Sequence, residues 1–386
     1  MPRVLSAILF AALLIRLGWV LSRDHRDEVA LANLPDQREY LTLGRNLLDG
    51  RGLVMRDDRL GVDVHAFRAP GYPIAVALCG GNILTIRIAQ ALLDTSTILA
   101  VYLLARKFLP PAACVFASVL VAFNPYLIYF SSLILSETLF IALLAWGMYF
   151  LTSRNWWIGS LILALSVLVR PSAMLLPMVL SMIIVPTSRD RIMRPFVSSA
   201  LVLLVLFPWA YRNHRVIDRW VWTTSNGGIT MYDGFHADAT GASDQRFMIS
   251  KITELQALPN EVDRSDHLTH QALEFIKANP GRSVVLALKK ISRTWSPIPL
   301  SAEYGGNVRI VILAAIYTIP LFALTIVGLC RSNLSTPAKV FLLLPAIYFT
   351  AIHAFSVGSL RYRLPADVPM AVVAASTLKK RVEVRG

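Results

Sequence analysis

Acidic side chains lie beside or inside several apolar segments of this 386-residue sequence, where a charge is costly. Asp36 and Glu39 follow the first apolar run, Glu137 opens a later one, and Asp94 lies within another. A carboxylate in such a place can act as a general base towards a hydroxyl group. An ionisable residue within a membrane-spanning segment is by default a candidate for function, with a partner of opposite charge.

Arginines recur at the same ends of these segments, and a cation near the bilayer centre costs about 2.5–3.5 kcal/mol. They lie at separate places in the chain: Arg16, Arg170, Arg212, Arg215, Arg361 and Arg363. Their recurrence favours a shared anionic ligand such as a phosphate, and snorkelling of single arginines to lipid headgroups is the alternative. We expect Arg16 and Arg170 to be the partners of Glu137 and Asp94, with the pairing left open, either at a site or to fix helix packing.

The elements that position these residues are apolar helices. The chain is 55% hydrophobic and its mean hydropathy is +0.56, which is typical of a polytopic membrane protein. The runs lack the alternation of a barrel, so helix is the expected spanning structure. We predict about ten spans: 4–21, 84–104, 112–130, 135–152, 156–169, 171–187, 196–210, 308–329, 338–354 and 364–378.

The net charge of +14 does not indicate a nucleic-acid partner, because most of the excess cations lie in short connections on one side of the predicted spans. The positive-inside rule makes that side cytoplasmic, together with both termini, and we expect a plasma (inner) membrane location. The predicted division is a transmembrane module over 1–210 with a first outer segment at about 22–83, an extracytoplasmic cap over 211–307, and C-terminal helices over 308–386.

Few residues suggest a metal. Cys79, Cys114 and Cys330 are far apart, which argues against a disulfide framework or a zinc site. His267 and His270 lie three residues apart without an evident third ligand. We leave a divalent cation open as a cofactor.

Seven stretches, taken in order, resemble a known family. They are DQREYLTLGRNLLDGRGL, FRAPGYP, NPYLIYFSSLILSETLF, LVRPSAMLLP, PWAYRNHRVIDRWVWTTSNGG, ANPGRSVVLALKKISRTWSP and RYRLPADVPM. The pattern is similar to the polytopic GT-C glycosyltransferases, near the bacterial protein O-mannosyltransferase-like proteins and the lipid A aminoarabinose transferase. The resemblance implies an all-α transmembrane bundle with outer loops and a small extracytoplasmic cap. It also implies transfer of a sugar from a polyprenyl-phosphate carrier to an acceptor outside the cytoplasm.

The resemblance implies that Asp36 is the catalytic carboxylate of the first outer loop. Many members carry a second acid directly after it, where this chain has Gln37. Because a lipid-phosphate leaving group is already a stable anion, one carboxylate suffices as base and inversion is expected. We therefore predict donor-phosphate contacts from Arg170, Arg361, Arg363 and Arg16, and acceptor-binding or orienting roles for Glu137, Glu39, Tyr40, Arg68 and Tyr72.

Two other classes stay open. A transporter or flippase predicts half-repeats and charges near mid-membrane, whereas the charges here crowd one face. A non-catalytic assembly subunit would bind the lipid carrier and tolerate loss of Asp36. The sequence does not identify the sugar or the acceptor, which could be a protein, a lipid or a polysaccharide.

Overall fold

The computed structural model describes residues 3–24, 31, 34–184, 187–300 and 307–378. Helices form nearly all of the regular structure in these ranges, together with one antiparallel hairpin in which Met55–Asp57 (β1) pairs with Val62–Val64 (β2). The cytoplasmic C-terminal end predicted from the basic residues falls within 379–386, outside the described residues.

The helices of the apolar segments and the first outer segment have the following bounds: α1 Arg3–Leu21, α2 Pro35–Leu48, α3 Gly71–Leu78, α4 Ile83–Ala105, α5 Pro111–Ala122, α6 Pro125–Phe130, α7 Glu137–Leu151, α8 Trp156–Val169, α9 Leu176–Ser181 and α10 Ser188–Ile217. The cap and C-terminal helices are α11 Gly227–Gly234, α12 Phe247–Ser250, α13 Ile252–Gln256, α14 Glu261–Ala278, α15 Pro280–Thr294, α16 Val308–Arg331, α17 Thr336–Ala354 and α18 Leu364–Ala375.

Within the described ranges, five apolar helices are long enough to cross a membrane: α1, α4, α10, α16 and α17. The apolar helices α5, α7, α8 and α18 are shorter, with 12 to 15 residues. The predicted continuous span at 112–130 is wrong, because Asn124 caps a second helix there by accepting from the amides of Tyr126 and Leu127. The predicted span at 171–187 is replaced by a 3-10 turn, Pro171–Ala173, and the short helix α9.

The centre of the bundle lies where α7 packs between α4 and α8, with α18 against them. All residues of α18 from Leu364 to Ala375 are buried, as expected of a helix that is apolar on every side. This packing brings the loop before α18, which carries Arg361, next to the start of α7.

The two outer segments pack together on one end of the bundle. Leu43, Met55 and Phe67 of the first segment share an apolar cluster with Leu255 and Leu268 of the cap. The cap helix α14 begins at Glu261, because the Asn260 side chain caps it. The first outer segment is therefore held in place by the cap as well as by the bundle.

Candidate active site

Asp36 lies in the first turn of α2, where the positive end of a helix dipole favours a carboxylate. Pro35 occupies the first helical position, and Gln37 accepts a hydrogen bond of 2.9 Å from the amide of Ile134. Gln37 thus anchors the start of α2 to the segment that leads into α7. Sequence reasoning noted Gln37 as the place of a second acid but missed this anchoring contact.

Asp36 forms ion pairs with two arginines. Nη2 of Arg68 donates to its Oδ1 over 2.6 Å, and Nη1 of Arg361 donates to its Oδ2 over 3.0 Å. Arg68 also pairs with Glu39 at 2.5 Å. Both oxygens of Asp36 are therefore engaged, while 28% of the side chain stays exposed.

Glu137 forms a second, buried layer beneath Asp36. Its Oε1 accepts from Nε of Arg361 over 2.5 Å and lies 3.5 Å from Nη2 of Arg170. The Glu137 side chain is fully buried, and its Oε2 has no hydrogen-bond partner among the residues that the structure describes. Arg361 therefore bridges a buried carboxylate and an accessible one.

Local chain geometry explains how Arg170 and Arg68 reach the cluster around Asp36. Arg170 precedes Pro171 and is extended, with φ −137° and ψ 100°, as residues before proline prefer. Arg68 lies just before α3, where a Cβ on Gly71 would approach the Leu168 carbonyl at 2.8 Å. This close approach requires glycine and brings α3 against the end of α8. The Pro70–Pro73 run thus begins α3.

The loop that carries Arg68 is also tied to the cap. Glu261 accepts hydrogen bonds from the amides of His65 and Ala66, at 2.9 and 2.7 Å. Arg212 donates to the carbonyls of His65 and Leu53, at 2.7 and 2.8 Å. Arg212, an outer arginine of the sequence pattern, therefore positions the loop.

The two carboxylates of α2 shift in opposite directions. Burial raises the pKa of Asp36, but the charges and hydrogen bonds of Arg68 and Arg361 outweigh it and hold that pKa well below its usual range. Burial, with a further contribution from the Asp36 charge, raises the pKa of Glu39 against the lowering effect of Arg68. Asp36 is therefore ionised at neutral pH, yet it accepts a proton poorly while both arginines hold it.

A polar cavity of about 480 Å³ opens above this cluster. Asp36, Tyr40, Arg68, Arg170 and Arg361 line it. Hydroxyl and amide side chains of the cap and the neighbouring loops also line it, together with apolar residues such as Ile352 and Phe355; the polar ones are Ser136, Thr223, Thr224, Asn226, Thr230 and Ser356. This lining suits a ligand with many hydroxyl or amide groups.

An apolar groove of about 420 Å³ lies next to it. Its walls are aromatic and aliphatic: Trp19, Tyr126, Tyr129, Phe130, Leu135, Ile310 and Leu313. Three arginines also line it, namely Arg23, Arg293 and Arg361. Arg361 lines both cavities, so the groove and the polar cavity meet at this residue. Sequence reasoning did not single out Arg23 or Arg293, although the basic stretch LKKISRTW contains the latter.

Several predicted site residues lie in neither cavity. Arg16 is fully buried, pairs with Asp94 at 2.6 Å and donates to the carbonyl of Ala122. Arg363 is also fully buried and pairs with Asp367 at 3.1 Å. The structure therefore does not bring Arg16 or Arg363 to the cluster around Asp36, since both contact protein groups inside the bundle.

Two aromatic residues that were predicted for the site, Tyr72 and Tyr40, pack against each other beside it. Tyr72 is buried, and its hydroxyl donates to Gln90 over 2.6 Å. Its ring packs edge-on against Tyr40, with 4.9 Å between the centroids. Tyr40 lines the polar cavity and Tyr72 does not.

The donor set does not fit a divalent cation. Asp36, Glu39 and Glu137 are each paired with arginine. In the part of the chain that the structure describes, no group of three or more His, Cys, Asp or Glu side chains is placed to hold a metal. We derive no step through a metal here.

Comparison with known proteins agrees with this fold. Residues 72–211 match the family model described as dolichyl-phosphate-mannose-protein mannosyltransferase. The chain superposes on the archaeal oligosaccharyltransferase AglB from Archaeoglobus fulgidus, in complex with an inhibitory peptide and a dolichol-phosphate, with a TM-score of 0.56 at 13% identity. The match covers 96% of this chain and 50% of AglB. The apo form of that enzyme gives a TM-score of 0.54 at 14% identity, over 96% and 50% of the two chains.

A third solved structure is more distant. ArnT from Cupriavidus metallidurans bound to undecaprenyl phosphate gives a TM-score of 0.43 at 13% identity, over 96% of this chain and 76% of ArnT. A search of curated proteins finds no match. The expected fold class is confirmed: this is a helical membrane protein with the GT-C fold, and it spans about half the length of AglB.

Proposed function

We propose that this chain is an inverting membrane glycosyltransferase that moves a sugar from a polyprenyl-phosphate carrier to an acceptor hydroxyl, with Asp36 as the base. The observation that carries the proposal is the junction of two cavities at Arg361. One cavity is polar and contains Asp36, and the other is apolar enough for an isoprenyl chain. A lipid-linked sugar needs both environments, with its phosphate at the boundary.

The reaction is a single displacement. The acceptor oxygen attacks the anomeric carbon, its proton passes to Asp36, and the bond between that carbon and the phosphate oxygen breaks. The electron pair leaves with the polyprenyl phosphate, which is a stable anion and needs no proton from the enzyme. Attack from the side opposite to the phosphate inverts the anomeric configuration. A single accessible carboxylate is sufficient for this chemistry.

The arginines of the cluster have distinct roles in this proposal. Arg361 and Arg170 bind the departing phosphate, whose negative charge grows as the bond breaks. Glu137 orients both of them from its buried position. Arg68, Glu39 and Tyr40 shape the acceptor side. Arg16 and Arg363 are assigned to helix packing.

The proposal also covers the donor, the acceptor and the side of the membrane on which the site lies. The dolichol-phosphate named in the AglB complex supports a polyprenyl-phosphate carrier, and the family model describes a dolichyl-phosphate-mannose donor. The acceptor is a protein, a lipid or a polysaccharide. The positive-inside pattern puts both termini in the cytoplasm and the site on the outer face of the plasma membrane.

The test is sugar release in proteoliposomes. The full chain is incubated with tritiated undecaprenyl-phosphate and dolichyl-phosphate sugars, namely mannose, glucose and aminoarabinose, and with cell-envelope acceptors. We expect Asp36→Asn to abolish release of the polyprenyl phosphate, and Asp49→Asn to leave it intact. Asp49 ends the same helix but is exposed and pairs with Arg51.

Two outcomes contradict the proposal. If Asp36→Asn releases polyprenyl phosphate at the wild-type rate, Asp36 is not the base. If both the wild-type protein and Asp36→Asn move the intact sugar-lipid across the bilayer and neither releases polyprenyl phosphate, the protein is a flippase.

A further inference from the structure

We propose that the carrier phosphate competes with Asp36 for Arg361, so that donor binding in the apolar groove frees Asp36 to act as the base. The inference rests on the proposed function and adds an order of binding to it. The donor enters first, and only then is the acceptor hydroxyl activated.

The first observation is the way in which Arg361 is held. Its Nε is fixed by the fully buried Glu137 at 2.5 Å, whereas its Nη1 reaches the partly exposed Asp36 at 3.0 Å. A guanidinium group has five N–H donors in a planar fork and binds phosphate with two of them. One edge of Arg361 can therefore stay on Glu137 while the other changes its anionic partner.

The second observation is the charge of the apolar groove. Nε of Arg23 and Nε of Arg293 are buried and lack hydrogen-bond partners in the described ranges. The Arg23 guanidinium lies over the rings of Trp19 and Tyr129, at 4.0 and 5.8 Å from their centroids. Neither arginine forms an ion pair with a described carboxylate. Two such cations in an apolar wall favour an anionic ligand, and a lipid phosphate matches both the charge and the wall.

The third observation concerns the base itself. With Arg68 on Oδ1 and Arg361 on Oδ2, the resting carboxylate has no strong acceptor site left for the proton of an incoming hydroxyl. Transfer of Arg361 to the phosphate exposes Oδ2 on the polar-cavity side. The loss of one cationic partner also makes the carboxylate more basic.

The competition is tested by binding undecaprenyl phosphate to the full chain in lipid nanodiscs. Asp36→Asn removes the competing charge with little change of shape, so we expect the Kd to fall about five- to tenfold. Glu39→Gln removes the same charge one helical turn away, but Glu39 contacts Arg68 and not Arg361. We expect its Kd to stay within about twofold of wild type. Asp36→Ser provides a second, independent removal of the carboxylate and should agree with Asp36→Asn.

The outcomes separate this inference from the proposed function. Unchanged or weaker binding by the Asp36 variants, or equal tightening by Glu39→Gln, overturns the competition and leaves the transferase assignment intact. Failure of wild-type protein to bind undecaprenyl phosphate or dolichyl phosphate overturns both. Tighter binding by the Asp36 variants, together with loss of sugar release, supports both.

Discussion

Two groups of arginines that look alike in the sequence differ in the structure. Arg16 and Arg363 each pair with one carboxylate inside the bundle and are fully buried. Arg68 and Arg361 share carboxylates near the outer end and keep 18% and 24% of their side chains exposed. The inner pairs are shut off from solvent, whereas each arginine of the outer group lines the polar cavity.

The difference shows what distinguishes a binding arginine from a packing arginine. A fully buried pair contributes to helix position and is out of a ligand's reach, even where a donor such as Nη2 of Arg363 lacks a hydrogen-bond partner in the described ranges. A pair at a cavity wall, shared among several carboxylates, exchanges partners at lower cost. In our proposal, accessibility and sharing therefore separate binding arginines from packing arginines better than residue type does.

The largest expected effect is on catalysis at Arg361. Arg361→Lys keeps the charge but loses the fork that spans Glu137 and Asp36, so we expect the turnover rate to fall about 10²–10³-fold. Sugar release from the tritiated donor measures it. The unfolding temperature should stay close to that of wild type. A large drop in that temperature with normal turnover would place Arg361 with the packing group.

The next effect is on stability at Arg16. Arg16→Met leaves Asp94 buried without its cation, and we expect the free energy of unfolding to fall by about 3–5 kcal/mol. Denaturation in detergent measures it. The double variant Arg16→Met/Asp94→Leu removes both charges and should recover most of the loss. No recovery in the double variant would contradict the closed-pair interpretation.

A smaller effect is expected in the apolar groove. Arg293→Gln removes one groove cation, so the Kd for undecaprenyl phosphate should rise about tenfold, which corresponds to roughly 1.4 kcal/mol. Lys289→Gln is the matched control, because Lys289 is exposed and does not line the groove. Equal effects of the two variants would show only a general attraction of the lipid to positive charge.

The last effect is a pH dependence, and it concerns a buried cation, Lys290, that has no carboxylate partner among the described residues. Lys290 lies over the ring of Phe235, and burial lowers its pKa to about 7 although the charge of Asp233 opposes this. Between that value and its ordinary pKa near 10.5 the unfolded chain binds the extra proton, so the stability of the cap should rise with pH by at most about 1.4 kcal/mol per pH unit.

Thermal unfolding of Lys290→Met across pH 7–10 measures this dependence. The variant should show a flatter pH profile than wild type, while Lys289→Met should keep the wild-type slope. An unchanged slope in Lys290→Met would assign the pH dependence to other groups.

The sequence predicted much of the fold because apolar helices and proline boundaries are local signals. The sequence indicated Arg16 and Arg170 as partners of Glu137 and Asp94 without fixing which arginine takes which acid, and the structure forms Arg16–Asp94 and Arg170–Glu137. The hairpin was not predicted, since its strands have only three residues each and its partner contacts lie in the cap.

The separation of Arg361 from Arg363 could not be read from the sequence. The two residues lie two apart around the 3-10 turn Leu360–Tyr362, and that turn directs Arg361 to the cavities and Arg363 to Asp367 and the carbonyl of Ser296. Which side faces inward depends on how α15 packs against α17 and this turn. The groove arginines were missed for the same reason: Arg23 and Arg293 meet only after distant segments fold together.

The most direct test of the account is the structure of the full chain in a nanodisc with undecaprenyl phosphate bound. We predict the isoprenyl chain against Tyr129 and Leu313, the phosphate within hydrogen-bond distance of Arg361, and a broken contact between Arg361 and Asp36. A phosphate bound away from the junction of the two cavities, with Arg361 still on both Asp36 and Glu137, would contradict the account.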